Sequence, residues 1–292
     1  MRLTPTEEQR HFAASLHDLL GPSALDAARA WSAGDPVPGL ALWRKLAGLG
    51  VFELTVDGTP ADLVVAFEEL GHHAMPGPLI ETAIAPLLTG STAPPGQRIV
   101  SIGAPLALDA DIADLVLLLD GDEVRVGTPG ARHESIDPAR HLFEVVPGRA
   151  LAGNAAAARD LAALLCAAQL LGAGRALLEL TVEHAKSRVQ FGQPIGSFQA
   201  VKHRLAEVLI GLEFARPLLH AAAATLAPPD ISAAKVRCGD AARFAARAAL
   251  QILGAIGFTR EYKASLWLAK TTALASAWGT RADHMGRVLA AL

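Results

Sequence analysis

Cysteine and tyrosine are scarce in this chain, and there is no excess of positive charge. Its 292 residues include two cysteines, one tyrosine, and 26 lysines and arginines against 29 aspartates and glutamates, which gives a net charge of −3. Cys166 and Cys238 both lie in alanine-rich helical patterns, so we expect buried, reduced thiols rather than a disulfide framework. Because a basic footprint is absent, we expect no nucleic-acid partner.

Long apolar runs are absent as well. No uninterrupted apolar stretch approaches the ~18 residues of a membrane span, and the start of the chain, Met1 to Glu8, has no signal-peptide apolar region. These absences predict a cytoplasmic protein without a membrane span.

Histidine spacing predicts no metal site. His72 and His73 are adjacent, so on one helix their side chains would point about 100° apart. The histidines at positions 203, 220 and 284 have no acid or cysteine at ligand spacing.

What the chain has in quantity is apolar residues, at 51%, with much alanine among them. This composition is typical of closely packed helices, and the length allows a sizeable core. Helical patterns run to about Leu88, after a helix start predicted with Thr4 as N-cap and Pro5 at the first helical position. From Asn154 to the end the patterns are helical again, and they predict helices over about 155–187, 198–225, 232–253 and 261–277, with a short one from about Ala282.

The segment between these helical regions is rich in β-forming residues. Short runs such as Leu115–Leu119 and Glu123–Val126 are separated by turn signals such as Asp120-Gly121 and Thr128-Pro129-Gly130. The order predicts a mainly α protein with a small β domain: an N-terminal helical domain over 1–93, a reduced middle β domain over 94–152 and a C-terminal four-helix bundle over 153–292.

The stretch Arg188–Gln199 is the most informative motif. It places a guanidinium, an amide, a phenyl ring and two glycines in the short connection between two long helices. Arginine forks onto phosphate oxygens, and glycine lets backbone N–H groups approach a ligand closely. A second motif, Gln251 to Thr259, again combines an amide with glycines.

These two motifs, with Trp43–Val51 and Phe67–Leu79 near the start, resemble the acyl-CoA dehydrogenase family. The resemblance is to the short subunits of actinobacterial heteromeric enzymes of the steroid side-chain type. It covers nearly the whole chain except the sheet region, and it implies FAD bound between subunits. By this resemblance, Arg188 would contact the pyrophosphate, with Gln190 and Phe191 beside it. The side chain or backbone of three further residues, Gln251, Gly254 and Ala255, would line the adenosine end, and Ala255 stands where the family usually has a second glycine.

Two family features are missing from the sequence. The position that usually carries the catalytic glutamate, directly before Gly-Thr, is Trp278, and indole cannot accept a proton from the substrate. Between Gly90 and Leu115 we find no Thr-Glu-Pro segment of the kind that holds the flavin ring in the family. The carboxylate nearest to an alternative base position is Asp160, which is also an ordinary first-turn acid near a helix N-terminus.

Three hypotheses follow from the resemblance and these absences. The first is a subunit of a flavin-dependent acyl-CoA dehydrogenase that contributes FAD contacts to a partner subunit, in a heterotetramer. It implies an acyl-CoA substrate with a bulky acyl group and an acceptor similar to electron-transfer flavoprotein. The second is a self-sufficient dehydrogenase with Asp160 as base, and the third is a non-catalytic scaffold subunit.

Overall fold

The computed structural model describes residues 3–90, 96 and 98–292. Within these residues the helices are α1 (Glu7–Leu20), α2 (Ala24–Ser32), α3 (Val37–Gly48), α4 (Leu54–Asp57), α5 (Pro60–His72), α6 (Leu79–Thr89), α7 (Ala155–Ser187), α8 (Gln199–Thr225), α9 (Pro228–Leu253), α10 (Ala264–Ser276) and α11 (Arg281–Leu289). The strands are β1 (Val100–Gly103), β2 (Ala107–Leu108), β3 (Leu115–Asp120), β4 (Glu123–His133), β5 (Leu142–Leu151), β6 (Val189–Gln190) and β7 (Gln193–Pro194). The fold is mainly α with a small β domain, as predicted; the predicted domain boundary at 93/94 lies outside the described residues.

The first helix begins two residues later than the sequence predicts. Thr6, not Thr4, is the N-cap: its hydroxyl accepts the backbone N–H of Gln9 at 3.2 Å, and the Gln9 side chain accepts the N–H of Thr6 at 2.9 Å. This reciprocal pair satisfies two otherwise unpaired donors, so it outweighs the preference of Pro5 for the first helical position.

Strands β1 to β5 form a closed barrel in the order β1-β2-β5-β4-β3, in which only β1 and β3 run parallel. The segment Thr128-Pro129-Gly130, predicted to be a turn, lies inside β4 instead. The register of β4 against β5 shifts between Pro129 and Arg132. At such a bulge a proline and a glycine are tolerated in a strand, because regular pairing is already interrupted.

Helix α7 is the central helix of the C-terminal bundle and is buried along most of its length. It packs against α5, α8, α9 and α10. The approach to α5 is so close that a Cβ at Gly172 would lie 1.9 Å from the Glu68 carbonyl oxygen. Helix α9 begins at Pro228, before its predicted start, because a proline at the first helical position loses no helical hydrogen bond.

Helices α7 and α8 are long and apolar enough to cross a membrane by length and composition alone. For α7, 83% of the apolar window is buried inside the fold, against 39% for α8. The apolar character of α7 is therefore that of a core helix, whereas α8 leaves apolar side chains at the surface.

Candidate functional site

The motif that begins at Arg188 folds into a tight hairpin. Strand β6 pairs with β7, and the two residues between them, Phe191 and Gly192, have φ values of 52° and 78°. Two successive positive φ values are those of a type I′ turn, which glycine favours and phenylalanine adopts only with strain. The hairpin connects the end of α7 to the start of α8.

The hairpin fixes its backbone while its predicted ligand-binding side chains face outwards. The Arg188 N–H donates to the His184 carbonyl at 2.9 Å, and the Arg188 carbonyl accepts the N–H of Ile195 at 2.8 Å. The Arg188 guanidinium has no hydrogen bond or carboxylate partner among the residues that the structure describes, and the Phe191 ring is 91% exposed. Gln190 is exposed too, and its amide donates to the Val189 carbonyl at 2.8 Å. The hydrogen-bonded hairpin thus presents the Arg188 guanidinium and the Phe191 ring to solvent.

The second motif lies where α9 ends. Gln251 is exposed in the last turn, and Gly254 has φ 63° and ψ −140°, a conformation that side chains disfavour. A Cβ at Gly254 would meet nothing within 4 Å, so the glycine is required by the backbone rather than by crowding. Ala255 is exposed, and Phe258 beyond it is 76% exposed. This segment therefore resembles the hairpin: its amide and its aromatic ring are both exposed to solvent.

Trp278 follows α10 in a left-handed conformation, with φ 57°, and Gly279 follows with φ 106°. The Trp278 carbonyl accepts a hydrogen bond from His284 Nε2 at 3.0 Å. A Cβ at Gly279 would lie 2.6 Å from the same nitrogen. The turn and the histidine therefore fix the position of Trp278 beside a cleft, where the resemblance places a catalytic carboxylate.

Comparison with known proteins decides the family. The chain is 33% identical over 268 residues to the acyl-CoA dehydrogenase IpdE2 of Mycolicibacterium smegmatis, an alignment that covers 85% of this chain and 86% of the relative. The acyl-CoA dehydrogenase C-terminal domain matches residues 154–292. The chain belongs to the acyl-CoA dehydrogenase family.

Solved structures share the fold at lower identity. The ChsE4-ChsE5 complex of Mycobacterium tuberculosis matches with a TM-score of 0.80 and 21% identity, covering all of both chains. The Tcur3481-Tcur3483 steroid ACAD matches with a TM-score of 0.83 and 21% identity, covering 97% of each chain. These likenesses confirm the predicted fold.

The cleft beside Trp278 lies between the N-terminal helices, the barrel and the end of α10. It has a volume of about 370 Å³, and its lining includes Glu81, Ile102, Pro105, Arg140, Leu142 and Trp278. Glu81, on α6, is 4% exposed. Burial raises the pKa of its carboxyl group, while the Arg140 charge and a hydrogen bond from the Trp278 side chain oppose the rise.

Sequence reasoning missed Glu81. The available signal was an acid inside the apolar run Leu79-Ile80-Glu81-Thr82-Ala83-Ile84, where a buried face is predicted and a carboxylate is costly. Arg140 gave no comparable signal, because it reaches the cleft from the loop between β4 and β5.

Asp160 does not lie at this cleft. It accepts a hydrogen bond from Arg287 Nη2 at 2.5 Å, and its side chain is 19% exposed. It lines a separate cleft with apolar residues that include Leu54 and Ile231. Its neighbour Arg159 pairs instead with Asp122 at 3.8 Å. The structure therefore gives Asp160 an ion-pair role between α7 and α11, not a place beside Trp278.

Two groups of buried polar contacts tie the barrel to the helices. Asp109, fully buried, accepts hydrogen bonds from Trp31 Nε1 at 3.1 Å and from the His141 N–H at 3.2 Å. Burial raises the pKa of the Asp109 carboxyl to about 7 despite these donors. Nearby, the Lys270 ammonium donates to the Met75 carbonyl at 3.3 Å and lies 3.8 Å from the Asp137 carboxylate. These contacts join the barrel to α2 and α10.

Proposed function

We propose that this chain is a subunit of a flavin-dependent acyl-CoA dehydrogenase that contributes FAD contacts across an interface and leaves the catalytic base to its partner. The observation that carries the proposal is the Arg188 hairpin. This hydrogen-bonded turn presents to solvent a phenyl ring and a guanidinium that has no partner in the described part of the chain. An exposed guanidinium is solvated at little cost, but a phenyl ring exposed on a turn with positive φ is explained if another molecule covers it.

The residues present suit FAD chemically. The FAD pyrophosphate is a dianion, and the free Arg188 guanidinium can fork onto its oxygens. Gln190 and Phe191 stand on the same turn. At the second motif, Gln251 offers an amide, and Gly254 and Ala255 leave the backbone open to close approach, since neither is covered by the chain itself. When bound, FAD supplies the hydride acceptor of the family's reaction.

The cleft beside Trp278 supports the second half of the proposal. An indole has no basic atom that could take a proton from the carbon next to a thioester. Asp160 lies on another cleft and is engaged by Arg287. A self-sufficient dehydrogenase with Asp160 as base is therefore disfavoured by the geometry.

One observation favours a competing assignment, in which the base is Glu81. Its carboxyl group lines the cleft, and burial raises its pKa, as active sites often require of a carboxylate. The Arg140 charge and the Trp278 side chain oppose this rise in the pKa of Glu81 without cancelling it. The experiments below separate the two assignments.

A further surface suits a partner subunit. Ile210, Phe214 and Leu218 follow one another at four-residue spacing on α8, and they are 54%, 68% and 41% exposed. This spacing puts all three on one face of the helix. The described residues leave this apolar stripe uncovered. We therefore assign it to the interface of the hetero-oligomer, which we take to be a heterotetramer.

The substrate and the acceptor are part of the proposal, and the names of two fold neighbours are consistent with it. The fold neighbours include a steroid ACAD and the ChsE4-ChsE5 complex. We propose a CoA thioester with a bulky acyl group as the substrate of the complex, and an acceptor similar to electron-transfer flavoprotein. A cytoplasmic location and the predicted domain boundaries stay predictions with this proposal.

Co-expression with the partner subunit tests the proposal. We expect the chain purified alone to be colourless and the complex to be yellow, with FAD released on denaturation. Arg188→Ala should lower the FAD content of the complex without dissociating it. Arg10→Ala, which removes an exposed arginine on α1, is the matched control and should leave FAD unchanged. Stoichiometric FAD on the chain alone would refute the interface assignment, and full FAD in the Arg188→Ala complex would favour a scaffold.

A further inference from the structure

A cluster of histidines lies where α1 packs against α5. None of its residues lines the cleft beside Trp278. His17 comes from α1, whereas Glu69, His72 and His73 come from the end of α5 and the residue after it. One ligand atom from each of the four residues lies within 4.8 Å of the others. Spacing along one helix could not reveal this group, since His17 is 55 residues away in sequence from His72.

Three of these atoms have separations that suit a small metal ion. The distances are 3.1 Å from His73 Nε2 to His17 Nδ1, 3.2 Å from His17 Nδ1 to Glu69 Oε2, and 3.9 Å from His73 Nε2 to Glu69 Oε2. Points so spaced lie on a circle of radius about 2.0 Å, which matches the Zn–N and Zn–O distances of protein sites. An ion displaced slightly out of the plane of these three atoms, towards a fourth ligand, would still contact all three, in a distorted tetrahedron.

His72 supplies the fourth side of the group. It is 7% exposed, and its Nδ1 is buried without a hydrogen-bond partner among the described residues. Its other nitrogen, Nε2, lies 2.8 Å from the Glu179 carboxylate. A carboxylate on one nitrogen of a histidine fixes the ring and raises the basicity of the other nitrogen, which is Nδ1 in His72.

The charges around the cluster allow a cation. Arg175 is a fixed positive charge near the cluster, but it is bound by Glu68 at 2.8 Å and by the other oxygen of Glu69 at 3.2 Å. Glu69 Oε2 is therefore directed to the histidines rather than to the arginine. Lys263, which lines the same cleft, lies 3.4 Å from the Glu183 carboxylate. Glu179 adds a further negative charge.

We propose that His17, Glu69, His72 and His73 form a structural binding site for a divalent transition-metal ion, with Zn²⁺ as the preferred occupant. The ion bridges α1 to α5 and so fastens the first helix to the rest of the fold. Imidazole nitrogens with one carboxylate oxygen are a ligand set that Zn²⁺ accepts in tetrahedral geometry.

Metal binding by the full chain, purified with its partner and without an affinity tag, tests the site. We expect one Zn²⁺ per chain after dialysis against a low concentration of zinc, and a visible absorption band of tetrahedral Co²⁺ when cobalt replaces zinc. His17→Ala removes the ligand from α1 and should weaken zinc binding at least ~10-fold and abolish the cobalt band. Added zinc should raise the melting temperature of the wild type but not of His17→Ala.

His11→Ala is the matched control, because His11 is an exposed histidine on the same helix and lies outside the cluster. It should bind zinc and cobalt like the wild type. His73→Ala provides a second loss of ligand if His17→Ala proves poorly folded. The proposal is overturned if the wild type takes up no zinc above the His17→Ala level, or if His11→Ala lowers the stoichiometry as much as His17→Ala does.

Discussion

His284 Nε2 donates to the carbonyl of Trp278 at 3.0 Å, while its other nitrogen lies 3.1 Å from the Ser232 hydroxyl on α9. The ring is 2% exposed, so both contacts are shielded from water. Trp278 has a positive φ, a conformation that is unfavourable for a bulky residue. The histidine is thus the link through which the bundle holds the tryptophan in its place beside Glu81.

His284→Ala should therefore loosen the turn at Trp278. We expect a loss of roughly 1–3 kcal/mol in the free energy of unfolding, because the Trp278 carbonyl and the Ser232 hydroxyl both lose a buried partner. The midpoint of urea denaturation of the complex measures the loss. His203→Ala, at an exposed position on α8, should leave the midpoint unchanged. An equal midpoint in both variants would show that the turn does not depend on His284.

Gly172→Ala should destabilise the fold strongly. The new methyl group would lie 1.9 Å from the Glu68 carbonyl and 2.7 Å from the His72 backbone nitrogen, both of them backbone atoms that cannot rotate away. Separating α5 from α7 should cost several kcal/mol, beyond the ~1–3 kcal/mol of ordinary overpacking. Gly211→Ala in α8 is the control: a Cβ there meets nothing within 4 Å, and we expect a gain of about 0.4–1 kcal/mol. Thermal denaturation compares the two, and a neutral Gly172→Ala would contradict the close approach.

Asp109 should make stability depend on pH. Its folded pKa is raised to about 7 by burial, so the folded state holds a proton that the unfolded state releases near pH ~4. The stabilisation is present at acidic pH and is lost as the pH rises towards 7, with a slope of up to ~1.4 kcal/mol per pH unit. Asp109→Asn keeps an acceptor for Trp31 and the His141 N–H but cannot ionise.

The measurement is the difference in the free energy of unfolding between the wild type and Asp109→Asn at several pH values from 5 to 8. The wild type should lose stability relative to the variant as the pH rises. Taking a difference removes the contribution of groups that do not interact with Asp109, whereas the charges of Arg140 and Asp111 act on Asp109 itself and stay part of its effect. A constant difference across this range would show that Asp109 is ionised throughout.

Local features of the fold could be predicted well from the sequence. Helix α7 has its predicted bounds, since Asn154 caps it by accepting the N–H of Ala157 at 3.0 Å and alanine continues it without a break. The exposed turn at Arg188 could be placed because its glycine and its polar residues form one continuous motif. Such features depend on neighbours in the chain.

Features that depend on tertiary packing could not be predicted. Asp160 finds its partner Arg287 from the last helix, 127 residues away, rather than the adjacent arginine. Glu81 and Arg140 meet at one cleft only because the barrel closes against α6. Residue spacing within one helix or strand cannot predict such pairs, because the distance between the two side chains depends on how the helices and the barrel pack.

Glu81→Gln tests whether the cleft beside Trp278 holds the chemistry. If the partner subunit carries the base, the complex with Glu81→Gln should keep its turnover within roughly two-fold, because the amide preserves shape and hydrogen bonding while removing the negative charge. A base would instead lose turnover by about 10²-fold or more, since an amide cannot accept the substrate's proton. The FAD content of the complex should be the same in both cases, which separates this variant from Arg188→Ala. The measurement is steady-state turnover with an artificial electron acceptor, on complexes with equal FAD content. It distinguishes a cleft with a structural role only from a cleft that is an active site.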